Sequence, residues 1–126
     1  MRNTFLVRLL ALALAVSPTA GLAQTPTCNA TVTLRSFAEV DGREGGWDLV
    51  FDVAAPSCDS SSGSFEYVVE LDAGGKRQRV TESAEFTTEK GQKGALKVQY
   101  NAKPGWTVKG VSGVSVRRCA CGVPGR

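Results

Sequence analysis

The residues of this chain that are best suited to chemistry are its four cysteines. Two of them stand near the end of the sequence as Cys119-Ala120-Cys121, and the other two are Cys28 and Cys58. Thiols at these positions predict structural disulfides, a thiol redox site or a soft-metal site for Cu(I) or Zn(II). The geometry of the strands that carry them and the compartment in which the chain folds decide among the three.

Strand geometry favours disulfides. Along an extended strand the side chains of Cys119 and Cys121 lie on one face about 7 Å apart, beyond the reach of a relaxed disulfide. We therefore expect each of them to bond to one of the two earlier cysteines, in two structural bridges worth about 2–4 kcal/mol each. We expect Cys28 and Cys58 at the same end of the fold. The bridges therefore require residues 106–119 to form one long strand, because a reversal at Gly110–Gly113 would carry the tail to the opposite end.

The two alternatives use the Cys-x-Cys tail itself. A redox site needs a thiolate of lowered pKa, and Arg117 and Arg118 directly before Cys119 would supply a positive field. However, this spacing lacks the Cys-x-x-Cys arrangement that places one thiol at a helix start. A metal site at the tail would need the other two cysteines as further ligands, because the chain contains no histidine.

The absence of histidine also limits the enzymatic functions. It excludes a Ser-His-Asp or Cys-His arrangement, and no pair of carboxylates is placed around a predicted pocket. The expectation is therefore a protein that is not an enzyme and holds no cofactor.

Residues 1–23 have the pattern of a secretory signal peptide. Arg2 and Arg8 give a positive start, and an apolar run of eight residues, 9–16, follows. This run is too short to cross a bilayer, which takes about 20 residues, so an uncleaved anchor helix is the weaker alternative. We expect the mature chain, residues 24–126, to enter the periplasm without inserting into the membrane. Disulfides persist in such an oxidising compartment.

The mature chain has an almost balanced charge. Its 103 residues are enough for one small domain and not for two. Loss of Arg2 and Arg8 leaves 13 basic against 12 acidic residues, so the net charge falls from +3 to +1. Nucleic acid is therefore not an expected partner.

Apolar residues recur with a period of two through most of the mature chain, which predicts strands with one buried face. No window shows a helical stripe. The strands are predicted at 30–37, 47–53, 65–71, 79–88 (as one strand or two), 96–100 and 106–119. Short strands in this number predict an all-β fold, an immunoglobulin-like antiparallel β-sandwich of six to seven strands. A small antiparallel barrel is the alternative.

Eight large side chains are expected in the core of this sandwich. Two of them, Tyr100 and Trp106, flank a turn. Either could instead lie at the rim of the sandwich as a binding aromatic residue. The full set is Trp47, Phe51, Phe65, Tyr67, Leu71, Phe86, Tyr100 and Trp106.

Basic residues are the candidates for a surface that binds a partner. The set is Arg77, Arg79, Lys97, Arg117 and Arg118. The alternative is a solvated surface of mixed charge with cross-strand pairs, because acidic residues are interleaved with the basic ones. An edge strand that carries such charges is either protected against pairing or suited to strand addition by an extended client.

Three consecutive segments carry a family resemblance: residues 63–71, the Gly74-Gly75 turn and residues 80–86. They resemble the middle of the small periplasmic curli-assembly proteins of the CsgH and CsgC type, and the resemblance extends over residues 28 to 120. It implies an immunoglobulin-like sandwich with a chaperone-like role, which holds curli subunits soluble and suppresses their amyloid assembly. CsgC-type members carry a Cys-x-Cys pair in an early strand, whereas this chain carries it at the end, so no redox role is transferred.

The leading hypothesis is therefore a periplasmic, monomeric, chaperone-like binding protein that inhibits the aggregation of β-rich subunits of the curli type. Two alternatives stay open. One is a thiol–disulfide redox protein that uses the Cys-x-Cys tail, and the other is a disulfide-stapled subunit of the fimbrial or adhesin kind.

Overall fold

Six antiparallel strands form two three-stranded sheets that enclose one apolar core. This architecture is that of a computed structural model, in which residues 27–89 and 94–122 are described. In chain order the strands are β1 (Thr31–Glu39), β2 (Gly46–Ala54), β3 (Ser60–Ala73), β4 (Lys76–Glu89), β5 (Gly94–Asn101) and β6 (Thr107–Cys121). The described residues contain no helix, and the expected all-β fold is confirmed.

The chain crosses between the two sheets as it proceeds. The first sheet has the strand order β1-β2-β5 and the second has the order β4-β3-β6. The strand β5 thus returns to pair with β2, and β6 returns to pair with β3. Such returning connections are typical of an immunoglobulin-like sandwich and differ from the continuous ladder of a closed barrel.

The hairpin between β3 and β4 is the most regular part of the fold. Gly74 and Gly75 have φ angles of 60° and 94°, and two left-handed residues of this kind form the tight turn that matches strand twist. The two strands then pair from Ala73 opposite Lys76 to Ser60 opposite Glu89 without a register shift. The segment predicted as one strand or two is therefore a single strand of 14 residues.

The last strand, β6, runs unbroken for 15 residues. The glycines at 110 and 113 do not reverse the chain. Instead the register against β3 shifts at three places, and Gly113, with a φ of 62°, lies between Ser112 and Ser115 at one of them. These bulges bend β6 while the strand continues, so the condition for bridging the tail to the earlier cysteines is met.

Aromatic rings from both sheets meet in the core. Phe51 of β2 lies 4.9 Å from Phe65 and 5.1 Å from Tyr67, both of β3, measured between ring centroids. Of the eight large side chains expected in the core, six are buried, namely Trp47, Phe51, Phe65, Tyr67, Leu71 and Phe86. Tyr100 and Trp106 are partly buried and pack against the core from its periphery.

The predicted signal peptide, residues 1–23, lies outside the described residues. Within the part of the chain that the structure describes, no helix has the length and apolar character needed to cross a membrane.

Candidate functional site

The four cysteines form two disulfides at one end of the sandwich. Cys28, just before β1, is bonded to Cys119, and Cys58, in the loop between β2 and β3, is bonded to Cys121. Their Cα atoms lie 5.7 Å and 5.2 Å apart, which suits a disulfide. The two tail cysteines thus have different partners, as expected for residues two apart on an extended strand. No cysteine is left as a free thiol.

Hydrogen bonds in the loop around Ser57 hold the early cysteines in place. The amide N–H of Cys58 donates to the carbonyl of Ala55 at 3.1 Å, which closes a tight turn. The Ser57 hydroxyl lies 2.6 Å from two acceptors, the carbonyl oxygen of Thr27 and Oδ1 of Asn29. Both acceptors flank Cys28 in the sequence, so this loop places the two early cysteines side by side.

The two disulfides are in close contact with each other. The sulfur atoms of Cys28, Cys58 and Cys121 all lie within 4.8 Å of one another, and Cys58 is buried. A soft-metal site would use the same sulfur atoms as thiolates, so it would require reduction of both disulfides first.

A glycine allows β3 and β6 to approach next to these bridges. Gly63 stands opposite Cys119 in the ladder. A Cβ atom at this position would collide with the backbone carbonyl oxygen of Arg118 and would lie 2.7 Å from Cζ of Phe86. The absence of a side chain therefore lets Phe86 of β4 pack next to the position where Cys119 of β6 is bonded to Cys28.

The outer face of the second sheet carries rows of opposite charges across its three strands. Arg79 of β4 pairs with Glu70 of β3 at 3.3 Å, and Arg117 of β6 pairs with Glu66 of β3 at 3.8 Å. We call this surface the charged sheet face, and its residues are Glu66, Glu70, Arg77, Arg79, Glu85, Arg117 and Arg118.

One of these rows spans the whole sheet. Arg118 of β6 reaches Glu85 of β4 at 4.0 Å over Ser64, which stands opposite both of them in the register. The small side chain of Ser64 leaves room for this contact. Glu70, which pairs with Arg79, also accepts a hydrogen bond from the Ser112 hydroxyl of β6 at 2.8 Å.

The charged sheet face brings together four of the five basic residues expected to bind a partner. Arg79, Arg117 and Arg118 form the ion pairs above, and Arg77 stands opposite Asp72 at the hairpin end. The fifth, Lys97, lies on β5 of the other sheet, where it pairs with Asp48 at 3.8 Å. Strand order explains the separation, because β5 pairs with β2 and not with β4 or β6.

The guanidinium groups of this face remain available to solvent. The side chains of Arg79, Arg117 and Arg118 are between 59% and 66% exposed despite their ion pairs. Exposed pairs of this kind contribute only about 0–1 kcal/mol, so a partner can replace them at little cost.

A charged residue also points into the sandwich from β4, and residue patterning alone did not single it out. Glu82 is opposite Tyr67 in the register and lies on the same inward face of β4 as Val80, Ala84 and Phe86. Burial raises the pKa of Tyr67 to about 12, with further contributions from the negative charge of Glu82 and from Tyr100. The pKa of Tyr100 on β5 is raised by burial and by Glu82. The signal in the sequence that could have identified Glu82 is its place among the apolar residues of the inward face of β4.

A cleft opens between the end of β4 and the start of β5, which face each other from different sheets. Its volume is about 450 Å³, and its apolar lining comes from Val53, Phe86 and Leu96. Glu85 and Arg118 of the charged sheet face also border it.

No protein-family model, no curated protein and no solved structure matches this chain.

Proposed function

We propose that the chain is a non-enzymatic periplasmic binding protein that keeps aggregation-prone β-rich subunits of the curli type soluble and inhibits their amyloid assembly. The observation that carries this proposal is the outer edge of β4. This strand has 14 residues and pairs with β3 along its whole length, and no strand of the described residues pairs with its other side. Such an edge presents unpaired backbone groups that an extended chain can bond by strand addition.

The other three edges are less suited to strand addition. The register of β1 shifts between Leu34 and Ser36, and β6 has three such shifts. Bulges of this kind twist an edge away from a regular partner. The remaining edge strand, β5, has only eight residues. The edge of β4 is therefore the longest regular template among the described residues.

The charged sheet face would assist the client at this edge. Exposed guanidinium groups donate hydrogen bonds to carboxylate and amide oxygens, which project from the polar face of an added strand. A client segment bound at this edge has one of its own edges covered, so it is withheld from pairing with other subunits.

The geometry of the hairpin identifies the backbone groups that a client would use. In a two-residue hairpin the flanking residues, Ala73 and Lys76, form a hydrogen-bonded pair. The even-numbered residues of β4 therefore bond to β3, and the odd-numbered ones direct their N–H and C=O groups outward. Thr81, near the middle of the strand, is one of these.

A proline at Thr81 provides a sharp test. Thr81→Pro removes an outward N–H and leaves the ladder to β3 intact, because proline is tolerated where the missing N–H faces solvent. The control Thr81→Ala keeps the N–H group. In a seeded fibrillation assay with a curli subunit, we expect the unaltered protein and Thr81→Ala to delay fibre growth at substoichiometric amounts. Thr81→Pro should lose the delay while its unfolding midpoint shows that it is folded.

Charge reversal tests the contribution of the face separately. Arg79→Glu should shorten the delay, whereas Lys97→Glu on the other sheet should leave it unchanged. If the unaltered protein does not delay fibrillation at all, the proposed function is wrong. If Lys97→Glu and Arg79→Glu act alike, the client does not bind at the charged sheet face.

The contact between the two disulfides favours thiol–disulfide exchange as a second candidate function. A partner thiolate that attacks the Cys119 sulfur would form a mixed disulfide and release Cys28 as a thiolate. That thiolate lies within 4.8 Å of the Cys58 sulfur, so attack there would form a Cys28–Cys58 bond and release Cys121. Incubation in a glutathione buffer, alkylation and peptide mass spectrometry would detect the new pairing. Retention of the native pairing alone would exclude this candidate.

A further inference from the structure

We propose that the β4 edge also pairs with the β4 edge of a second copy of this chain, as an antiparallel dimer with its twofold axis at Ser83. This differs from the monomer expected from sequence. The second copy would compete with the proposed client for the same edge, but neither interaction requires the other. The pairing would join the β4-β3-β6 sheets of the two copies into one sheet of six strands. A twofold interface of this type requires a surface that is complementary to itself.

The charges along β4 have that complementarity. The first part of the strand is basic, with Lys76, Arg77 and Arg79, and the remainder is acidic, with Glu82, Glu85 and Glu89. A parallel copy would place like charges together. An antiparallel copy places the basic part of each strand beside the acidic part of the other, which is favourable for cross-strand pairs.

The alternation of faces restricts the register of such a pair. Residues directly opposite in an antiparallel pair point to the same face, so inward residues must meet inward residues. With Ser83 opposite its own copy, this condition is met along the strand. The resulting pairs are Arg77 with Glu89, Val80 with Phe86, and Glu82 with Ala84.

Glu82 disfavours both neighbouring registers. A centre at Glu82 would set the two inward carboxylates opposite each other, where like charges repel. A centre at Ala84 would set each carboxylate opposite the apolar ring of Phe86. The Ser83 centre instead sets each carboxylate opposite the small side chain of Ala84. It also makes an apolar contact of Val80 with Phe86, at the rim of the cleft that Phe86 lines.

The pairing would close after two copies. Each chain uses its β4 edge once, and the outer edges of the joined sheet are the two bulged β6 strands. Bulged edges oppose further strand addition. The expected product is therefore a dimer and not a fibre.

Crosslinking at the axis tests the register directly. In otherwise unaltered, disulfide-intact protein, Ser83→Cys places one thiol of each copy next to the other. A short bifunctional maleimide should convert most of this variant into a covalent dimer. The control Thr87→Cys lies on the same strand and face, but the two thiols of the dimer would be about 27 Å apart. The short reagent should therefore not crosslink this variant.

Two outcomes would overturn the proposed register. One is a Ser83→Cys variant that remains monomeric although a monofunctional maleimide labels it fully. The other is equal crosslinking of Thr87→Cys, which would show association without a defined register.

Charge reversal tests the complementarity. Arg77→Glu should raise the dissociation constant of the dimer about tenfold, which corresponds to about 1.4 kcal/mol. The double variant Arg77→Glu with Glu89→Arg should restore it, whereas Arg117→Glu, away from the edge, should leave it unchanged. Light scattering over a range of protein concentrations, at low and at high salt, measures these constants. Equal dimerisation of all variants, or a monomer at every concentration, would contradict the proposal.

These results are separable from those on the client. A protein that delays fibrillation but never dimerises would retain the proposed function and lose this inference. A protein that dimerises without delaying fibrillation would retain this inference and lose the proposed function.

Discussion

At the residue scale, the absence of a side chain at position 63 allows β6 and Phe86 to pack against β3. Gly63 faces the core, and β6 and the ring of Phe86 occupy the space that a Cβ atom would need. An added methyl group must displace either the β6 backbone or a buried aromatic ring. Neither can move freely, because β6 is bonded through Cys119 to Cys28 and through Cys121 to Cys58, and the Phe86 ring is buried in the core.

We therefore predict that Gly63→Ala lowers the free energy of unfolding by about 1–3 kcal/mol, as overpacked core positions do. Gly110→Ala is the matched control in the same sheet, since its Cβ would have only an ordinary contact of 3.7 Å with Glu70. Urea unfolding of both variants measures the difference. Equal stability of the two would contradict the crowding at Gly63.

A second prediction at this scale concerns Tyr67. Its pKa is raised to about 12 by burial and by Glu82 and Tyr100, so the folded protein holds a proton that the unfolded chain releases near pH 10. This group's contribution to stability is complete below pH 10 and is lost as the pH rises towards 12. Ultraviolet titration of the phenolate should show the late ionisation.

Glu82→Gln should lower the pKa of Tyr67, because it removes a nearby negative charge while burial remains. The control Glu85→Gln lies on the outer face and should leave the phenolate titration unchanged. A tyrosine that still titrates at the same high pH in Glu82→Gln would assign the whole effect to burial.

At the scale of elements, β6 depends on the loop that precedes β3. Its ladder with β3 contains three shifts, so its backbone pairing is less regular than that of β4. The Cys58–Cys121 bridge and a hydrogen bond from the Gly122 N–H to the Ser60 carbonyl, at 2.7 Å, hold its end. The disulfides therefore hold the end of β6 beyond the last of its shifts, where Arg118 to Cys121 pair regularly with Ser64 to Ser61.

We predict that the double variant Cys58→Ser with Cys121→Ser still folds but loses about 2–5 kcal/mol of unfolding free energy, because a crosslink across 63 residues no longer constrains the unfolded chain. Denaturant unfolding measures the loss, and the unaltered protein is the reference. A change within experimental error would mean that the bridge adds no stability to the ladder.

At the scale of the whole molecule, aromatic packing holds the two sheets together. Phe51 from the first sheet contacts Phe65 and Tyr67 of the second, and both phenylalanines are fully buried. Because each sheet has only three strands, few residues share this role.

Phe51→Ala should therefore cost about 3–5 kcal/mol, since it removes a buried ring and leaves a cavity between the sheets. Trp106→Ala, at the periphery of the core, should cost less although it deletes a larger side chain. Thermal unfolding distinguishes the two. A larger loss for Trp106→Ala would place the centre of the core elsewhere.

Local residue patterns were sufficient to locate the strands and their buried faces. The alternation of Trp47, Leu49, Phe51 and Val53 encodes an inward face within one strand, and the structure buries all four. The spacing of Cys119 and Cys121 likewise favoured two different partners, because two residues span a fixed distance in an extended chain.

Only the tertiary structure decided how these elements combine. The pairing of Cys28 with Cys119, the separation of Lys97 from the four arginines and the position of Glu82 opposite Tyr67 all depend on strand order and register. Strand order results from packing between residues distant in the chain, which no local period records. The Cys-x-Cys spacing thus favoured bridges to two different partners, whereas the folded molecule determined that both bridges form, where they lie and which charged surface adjoins them.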